Sequence, residues 1–557
     1  MTTKRLFLSL FIILTSISVW AQPKDAWKAT ATLTAFDAQG STIYTGTVFF
    51  IDAAGTIIAP YAPFTKAVRA EIADSKGKRH AVSRILGASE NYGFVKLRTE
   101  AEGQPFLSPI TDSTEVAQAG TKLFVVGYLR TKKETPQVVS VSEAVRYDAA
   151  MFYTISLGAD PKYVGCPLIN STGKVVAIVG ANSGEAFDVR FATALNITAN
   201  SALDRELRAL PMAKALPATK DEAQKYIALL DAIDTQASLA AMDDFIVAYP
   251  EDPSGYLTRA SRLSAMKQFT KADADFAAAF ERANDQTTAD AVHYAFSRSI
   301  YSAYVNDTTA ALQGWNLEKA LQEANAAYNT TNAPLYALQQ ANCLFAMERY
   351  SEAYTKYMEV NATDIASDET YFTAMLAIER AGGDTAQIFS LLNKAIEVQK
   401  RPYNERAATY FFERAQRLVL YGQYRRAVQD YNEFEHIIGP RKLNDTFYYM
   451  REQAELQGHM YQQALDDIQS AILSASPERK PYYQTEEAFI YLACAEYENA
   501  KTSALAAYPA LPQHIPLLRI LAISHGETGN KAKAREYLQK AKDLGDTTTD
   551  ELMKKYQ

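Results

Sequence analysis

Residues 156–168 read Ser-Leu-Gly-Ala-Asp-Pro-Lys-Tyr-Val-Gly-Cys-Pro-Leu, and the fold is decided by what this stretch sits between. Upstream lies Phe152-Tyr-Thr-Ile155, and downstream lie Ile169-Asn-Ser-Thr-Gly-Lys-Val-Val-Ala-Ile178 and Arg190-Phe-Ala-Thr193. The upstream segment and Val175–Val179 are short and rich in β-branched and aromatic residues, as strands are. Within the loop, Val164 carries an isopropyl group, which has neither a proton to give up nor a lone pair with which to attack a carbonyl. Cys166, two residues on, shares roughly the same strand face.

The same texture extends through residues 27–195. Thr30–Ala35, Thr45–Ile51, Ala67–Ile72, Gly93–Leu97, Leu123–Gly127 and Val138–Glu143 read as further strands. Turn formers such as Asp-Ala-Ala-Gly55, Ser-Lys-Gly77 and Ser-Thr-Gly173 separate them. Many short strands with frequent turns predict an antiparallel barrel or sandwich.

From about residue 220 the strand signal stops, and blocks rich in Ala, Glu, Lys, Gln, Leu and Tyr take over. One spacing recurs as Ala260, Phe269, Ala272, Phe276, Ala279, then as Ala341, Tyr350, Ala353, Tyr357, Val360, and as Ala415, Tyr424, Ala427, Tyr431, Phe434. Weaker copies are Ala488, Tyr497, Ala500, Ala504, Ala507 and Ala522, Lys531, Ala534, Leu538, Ala541. Tyr461, Ala464, Ile468, Ala471 and Leu317, Ala320, Ala324, Ala327 keep only the second half. This spacing resembles the tetratricopeptide repeat (TPR), a helix–turn–helix unit of about 34 residues. Small residues let the two helices of a unit approach, aromatics fill the space between units, and Gly422 and Gly529 fall in the turns.

The β half resembles the trypsin-like serine peptidases, including the HtrA-like group, over about 170 residues. The stretch ending Gly165-Cys-Pro-Leu168 has the frame of their G-N-S-G-G-P-L segment, with Val164 at the serine position. Thr45-Gly-Thr-Val-Phe-Phe-Ile-Asp52 and Gly55-Thr-Ile-Ile58 are similar to the strand pair before the histidine, whose position falls on Ala62. Glu90-Asn-Tyr-Gly-Phe-Val-Lys-Leu97 is similar to the phrase that carries the aspartate, whose position is Asn91. In that family the serine needs the imidazole as base, and the carboxylate fixes the imidazole's tautomer. Ala62, Asn91 and Val164 supply none of these, so the resemblance implies a scaffold with a degenerate triad and no catalytic residues. Two other residues of this half carry nucleophile or base chemistry, His80 and Cys166. His80 is the one histidine of this half and reads as an exposed strand residue. A thiol nucleophile at Cys166 would need a depressed pKa.

The chain opens Met-Thr-Thr-Lys-Arg, and then Leu6–Trp20 carries no charge. This reads as a secretory signal peptide cut after Ala21, with no lipid-anchor cysteine following it. No other long apolar run exists, so no membrane span is expected in the remainder. A net charge of −7 gives no footprint for nucleic acid. The three cysteines, Cys166, Cys343 and Cys494, make no disulfide framework and are expected to be buried free thiols. No H-E-x-x-H, C-x-x-C, P-loop or G-x-G-x-x-G motif occurs, so no metal and no cofactor is expected.

The expected architecture is multidomain: signal peptide 1–21, an all-β trypsin-like double barrel over 22–203, a linker over 204–219 bracketing Pro211 and Pro217, and an all-α TPR solenoid over 220–557. The expected function is a noncatalytic, exported, periplasmic scaffold or adaptor. It would bind protein or peptide partners through the concave face of the repeats and the barrel cleft. The alternatives are a serine-type endopeptidase with relocated residues, or a regulatory subunit of an active peptidase.

Overall fold

The computed structural model describes residues 25–127, 137–147, 150–158, 160–307, 310 and 314–557. The expected signal peptide lies outside them. The chain divides into two compact units, residues 1–262 and 263–557.

The first unit contains two closed six-stranded antiparallel barrels, as a trypsin-like double barrel requires. The strands of the first are β1 (Thr30–Phe36), β2 (Thr42–Phe50), β3 (Thr56–Pro60), β4 (Arg69–Ala73), β5 (Arg79–Ser89) and β6 (Phe94–Thr99), ordered β1-β2-β3-β6-β5-β4. Those of the second are β7 (Lys122–Val125), β8 (Gln137–Tyr147), β9 (Ala150–Ile155), β10 (Pro167–Ile169), β11 (Val175–Val179) and β12 (Glu185–Asp188), ordered β10-β11-β12-β9-β8-β7. Alternation builds each interior. Leu33, Val48, Ile57, Ile72, Ile85 and Leu97 fill the first, and Leu123, Val139, Tyr153, Leu168 and Ile178 the second.

Four hairpins share one device. Asp37, Asp52, Asp74 and Asn170 each accept a backbone N–H from four residues on, from Ser41, Thr56, Lys78 and Lys174. Gly40, Gly55, Gly77 and Gly173 take φ near +80° in these turns, a region that costs any side chain about 1–2 kcal/mol.

Beyond β12 come α1 (Val189–Thr193), α2 (Arg205–Ala209), α3 (Lys220–Asp231), α4 (Thr235–Ala248) and the start of α5 (Pro253–Ala265). The stretch 204–219, expected to be a linker, is docked on the first barrel. The Ile85 N–H donates to Ala213 O and the Ala215 N–H donates to Ile85 O, both at 2.8 Å. Leu207, Leu210 and Met212 are buried in the first barrel's hydrophobic cluster. Tyr226 and Leu230 of α3 and Met242 and Phe245 of α4 belong to that cluster too, each buried side chain contributing about 1.5–3 kcal/mol. Arg84 of β5 reaches Asp244 of α4 at 2.8 Å. The first two long helices are thus part of the barrel unit's core, because their apolar stripes find the barrel wall.

The second unit holds sixteen α-helices among the described residues, from Phe269–Glu281 to Thr549–Lys555, consecutive helices packing on one another in a solenoid-like array. The recurring small positions Ala341, Ala353, Ala415, Ala427, Ala488, Ala500, Ala522 and Ala534 are all fully buried. A left-handed residue follows the first small position of each full copy by seven residues: Lys267 after Ala260, then Glu348, Gly422, Ala495 and Gly529. Two further left-handed residues, Gly382 and His459, stand seven after Met375 and Glu452. They mark two helix pairs whose leading positions are not small, so the first does not show in the spacing and the second shows only its later half, Tyr461, Ala464, Ile468 and Ala471.

Candidate functional site

The loop that carries Val164 is built by a single turn of 3₁₀ helix, Pro161–Tyr163, capped by the Asp160 carboxylate. The Lys162 N–H donates to Asp160 Oδ1 at 3.1 Å, and the Val164 N–H donates to Pro161 O at 3.3 Å. If Val164 holds the expected nucleophile position of a trypsin-like frame, acyl transfer would aim these two N–H groups, at that position and two residues before it, toward the developing oxyanion. Here both donate inside the turn.

Gly165 follows with φ +82°, and a Cβ added there would come within 3.1 Å of Pro60 Cδ and 3.3 Å of Thr47 O. The glycine is required both by its backbone and by this approach, which sets the Val164 loop against the end of β3. The Gly165 N–H then donates to Val179 O, and the Val179 N–H to Cys166 O, which fixes the loop to β11.

The expected triad positions fall as follows. Asn91 is exposed in the turn between β5 and β6, and it lines a pocket of about 180 Å³ together with Val164, Pro60, Glu90 and Glu185. Ala62 is exposed at the start of the short helix Ala62–Thr65 and is not among that pocket's lining residues. Asn91 and Val164 are therefore brought together, and Ala62 lies beside them in sequence only through Pro60.

His80 is elsewhere, and the expectation of an exposed strand histidine is corrected. Its side chain is 8% exposed, and Nε2 lies 3.2 Å from Asp74 Oδ2 in the β4–β5 hairpin. Burial of the Asp74 carboxyl raises its pKa, but hydrogen bonds from the Lys78 and Lys76 N–H groups and from His80 outweigh it and hold it below the ordinary range. This imidazole is committed to a turn.

Cys166 is fully buried and donates to Lys162 O at 3.5 Å. Burial pushes its thiol up to about 12. A nucleophilic thiol needs the opposite shift. Cys343 is buried as expected; Cys494 is half-buried, which corrects its assignment as a buried thiol.

Two more cavities adjoin the Val164 pocket. One of about 150 Å³ is lined by Leu157, Asp160, Pro161, Val164 and residues 179–182. The other is a groove of about 610 Å³ lined by Asn91, Tyr92, Val145, Tyr147, Phe152, Phe187 and Phe191. Its walls are ring pairs: Tyr92 stacks on Phe191 at 4.1 Å, and Phe152 meets Phe187 edge-on at 5.1 Å. Sequence reading missed this groove, because its aromatics come from the β5–β6 turn, the β8–β9 hairpin, β12 and α1.

Among the described residues no group of His, Cys, Asp or Glu side chains is placed to hold a metal ion, and no helix is long and apolar enough to cross a membrane.

No family model and no curated protein matches this chain. Among solved structures, it is similar to the HtrA-type protease AlgW with a tripeptide at 15% identity and a TM-score of 0.26, over 30% of this chain and 58% of that one. It is similar to the same protease with a decapeptide at 13% identity and a TM-score of 0.25, over 33% of this chain and 66% of that one. The chain thus spans less than two thirds of the length of these structures.

Proposed function

We propose that this chain is a noncatalytic, exported scaffold or adaptor that binds protein segments, joining a pseudo-peptidase double barrel to tetratricopeptide repeats. The observation that carries the reading is the Val164 loop. A hydrocarbon stands where a nucleophile is needed, and the neighbouring N–H groups of Lys162 and Val164 are spent within the loop's own turn. Ala62 and Asn91 offer no base and no charge to orient one. His80, the one histidine of the barrel unit, is bonded to Asp74.

What remains is a recognition surface without chemistry. The cavities around Val164 and Asn91 accept an extended chain. The buried small positions and left-handed turns of the helical array support repeat pairs of the tetratricopeptide kind, whose concave face suits peptides or partner helices. Export follows from the amino-terminal apolar run, and the periplasm is the proposed compartment.

The test uses the full chain with a fluorophosphonate probe, an iodoacetamide probe and an unstructured protein substrate. The expected result is no competable label in residues 22–203 and no cleavage. Specific, competable labelling of a serine or cysteine there overturns the reading in favour of an active peptidase.

A further inference from the structure

The groove beside Asn91 has a composition that the scaffold reading does not use. Among its described lining residues five are aromatic: Tyr92, Tyr147, Phe152, Phe187 and Phe191. Tyr147 is 65% exposed and Val145 47%, so apolar surface here faces solvent. Asn91, Tyr92 and Phe187 also line the Val164 pocket, so the two spaces adjoin across these residues.

Charge is one-sided along this path. The described lining residues include the carboxylates Glu90, Glu185 and Asp160 and no lysine or arginine. Lys162, at the Val164 loop, is held by Asp160 at 2.8 Å. Arg146, between Val145 and Tyr147 on β8, projects to the opposite face of the strand by alternation. An aromatic groove bordered by Glu90, with no lysine or arginine among its described lining residues, attracts a positive charge on an apolar stem. An aromatic ring attracts a cation through the negative charge of its face, and a carboxylate adds a charge-assisted hydrogen bond.

We propose that the aromatic groove is the seat of an arginine or lysine side chain of an extended peptide lying along the cleft from Val164 past Asn91. The stem lies against Val145 and Tyr147, the cationic head sits over the Tyr92, Phe152 and Phe187 rings, and the Asn91 carboxamide oxygen and Glu90 accept from it. This rests on the reading of the cleft as a binding surface and adds the chemistry of what it binds.

Short fluorescein-labelled peptides of alanine and valine, carrying one central arginine, lysine, norleucine or glutamate, test it by anisotropy against the full chain at low and high salt. Arginine and lysine peptides bind about tenfold tighter than the norleucine peptide, and the glutamate peptide binds weakest. Added salt narrows the gap between the charged and neutral peptides. Tyr147→Ala weakens the arginine peptide severalfold, Glu90→Gln does the same, and Asn91→Asp tightens it; all three positions are exposed, and circular dichroism melts confirm the fold. Equal binding of the arginine and norleucine peptides overturns the proposal. So does arginine-peptide binding that none of the three substitutions changes, and so does the absence of binding by any peptide. Cleavage of a peptide, read by mass spectrometry, overturns the noncatalytic reading instead, and the anisotropy ranking then still decides the groove.

Discussion

Glu452 of the helix Asp445–Gln457 stands where Ala488 stands in the helix Lys480–Ala493. Both are fully buried, and each precedes by seven residues a left-handed turn residue, His459 and Ala495 respectively. A carboxyl group thus occupies a position built for a methyl. Its Oε2 accepts from Gln453 at 2.8 Å, while Oε1 is buried with no hydrogen-bond partner.

The pH dependence of the helical unit follows. Burial first, then the nearby Glu486 and Asp467 charges, push the Glu452 carboxyl up from its ordinary value near 4.5 to about 8. Between these two values the folded chain holds a proton that the unfolded chain releases. Stability is therefore full below the ordinary value, falls by up to about 1.4 kcal/mol per pH unit as pH rises toward 8, and levels off above it. Burial raises the Glu455 carboxyl in the same direction. Glu452→Ala is expected to be more stable than the parent by about 2–3 kcal/mol at pH 8, with the gain shrinking toward pH 5. Urea unfolding at several pH values, followed by far-ultraviolet circular dichroism, measures both.

The neighbouring Arg451 behaves in the opposite way. Its Nε and Nη2 donate to the two Asp467 oxygens at 2.6 and 2.7 Å, and its Nη1 donates to Glu435 and Asn432 at 2.6 and 2.8 Å. Both members of the bidentate pair are buried. Arg451→Met leaves Asp467 buried without its cation and is expected to cost about 3–5 kcal/mol. Hydrogen exchange localises the loss to helices Asp445–Gln457 and Tyr461–Ser474.

The three thiols should differ in reactivity. Burial pushes Cys166 to about 12 and Cys343 to about 11, whereas Cys494 is half-buried. Iodoacetamide at pH 8 is expected to modify Cys494 first and to leave Cys166 untouched until the chain is denatured. Intact mass and peptide mapping read the order. Rapid native modification of Cys166 would contradict its burial.

Placing a hydroxyl at position 164 alone should create no reactive serine. Val164→Ser adds a hydroxyl beside Asn91, yet supplies no imidazole and leaves the Val164 and Lys162 N–H groups in their turn. The expected result is no labelling by a fluorophosphonate probe above the parent's level. Labelling would mean that a base and an oxyanion site form at this loop.

How much was legible before folding depends on how local each feature is. Gly55, Gly77 and Gly173 follow from the steric demand of a tight turn, and a reader of the sequence finds them at once. Val164, Gly165 and Pro167 stand in a short frame, so the hydrocarbon at Val164 is visible in the chain. The repeat spacing shows wherever small residues and aromatics recur, and it fails at Met375 and Glu452, where a larger residue fills the leading position.

What chain chemistry determined by itself, then, was the two architectures and the hydrocarbon at Val164, because alternation, helical spacing and turn geometry act over a few residues. Folding alone decided the rest. It sent the stretch 204–219 and helices α3 and α4 onto the first barrel, tied His80 to Asp74, consumed the N–H groups beside Val164 and gathered Tyr92, Tyr147, Phe152, Phe187 and Phe191 around one groove. Those outcomes depend on which distant surfaces bury one another, and burial between segments far apart in sequence leaves no periodic mark on any one of them.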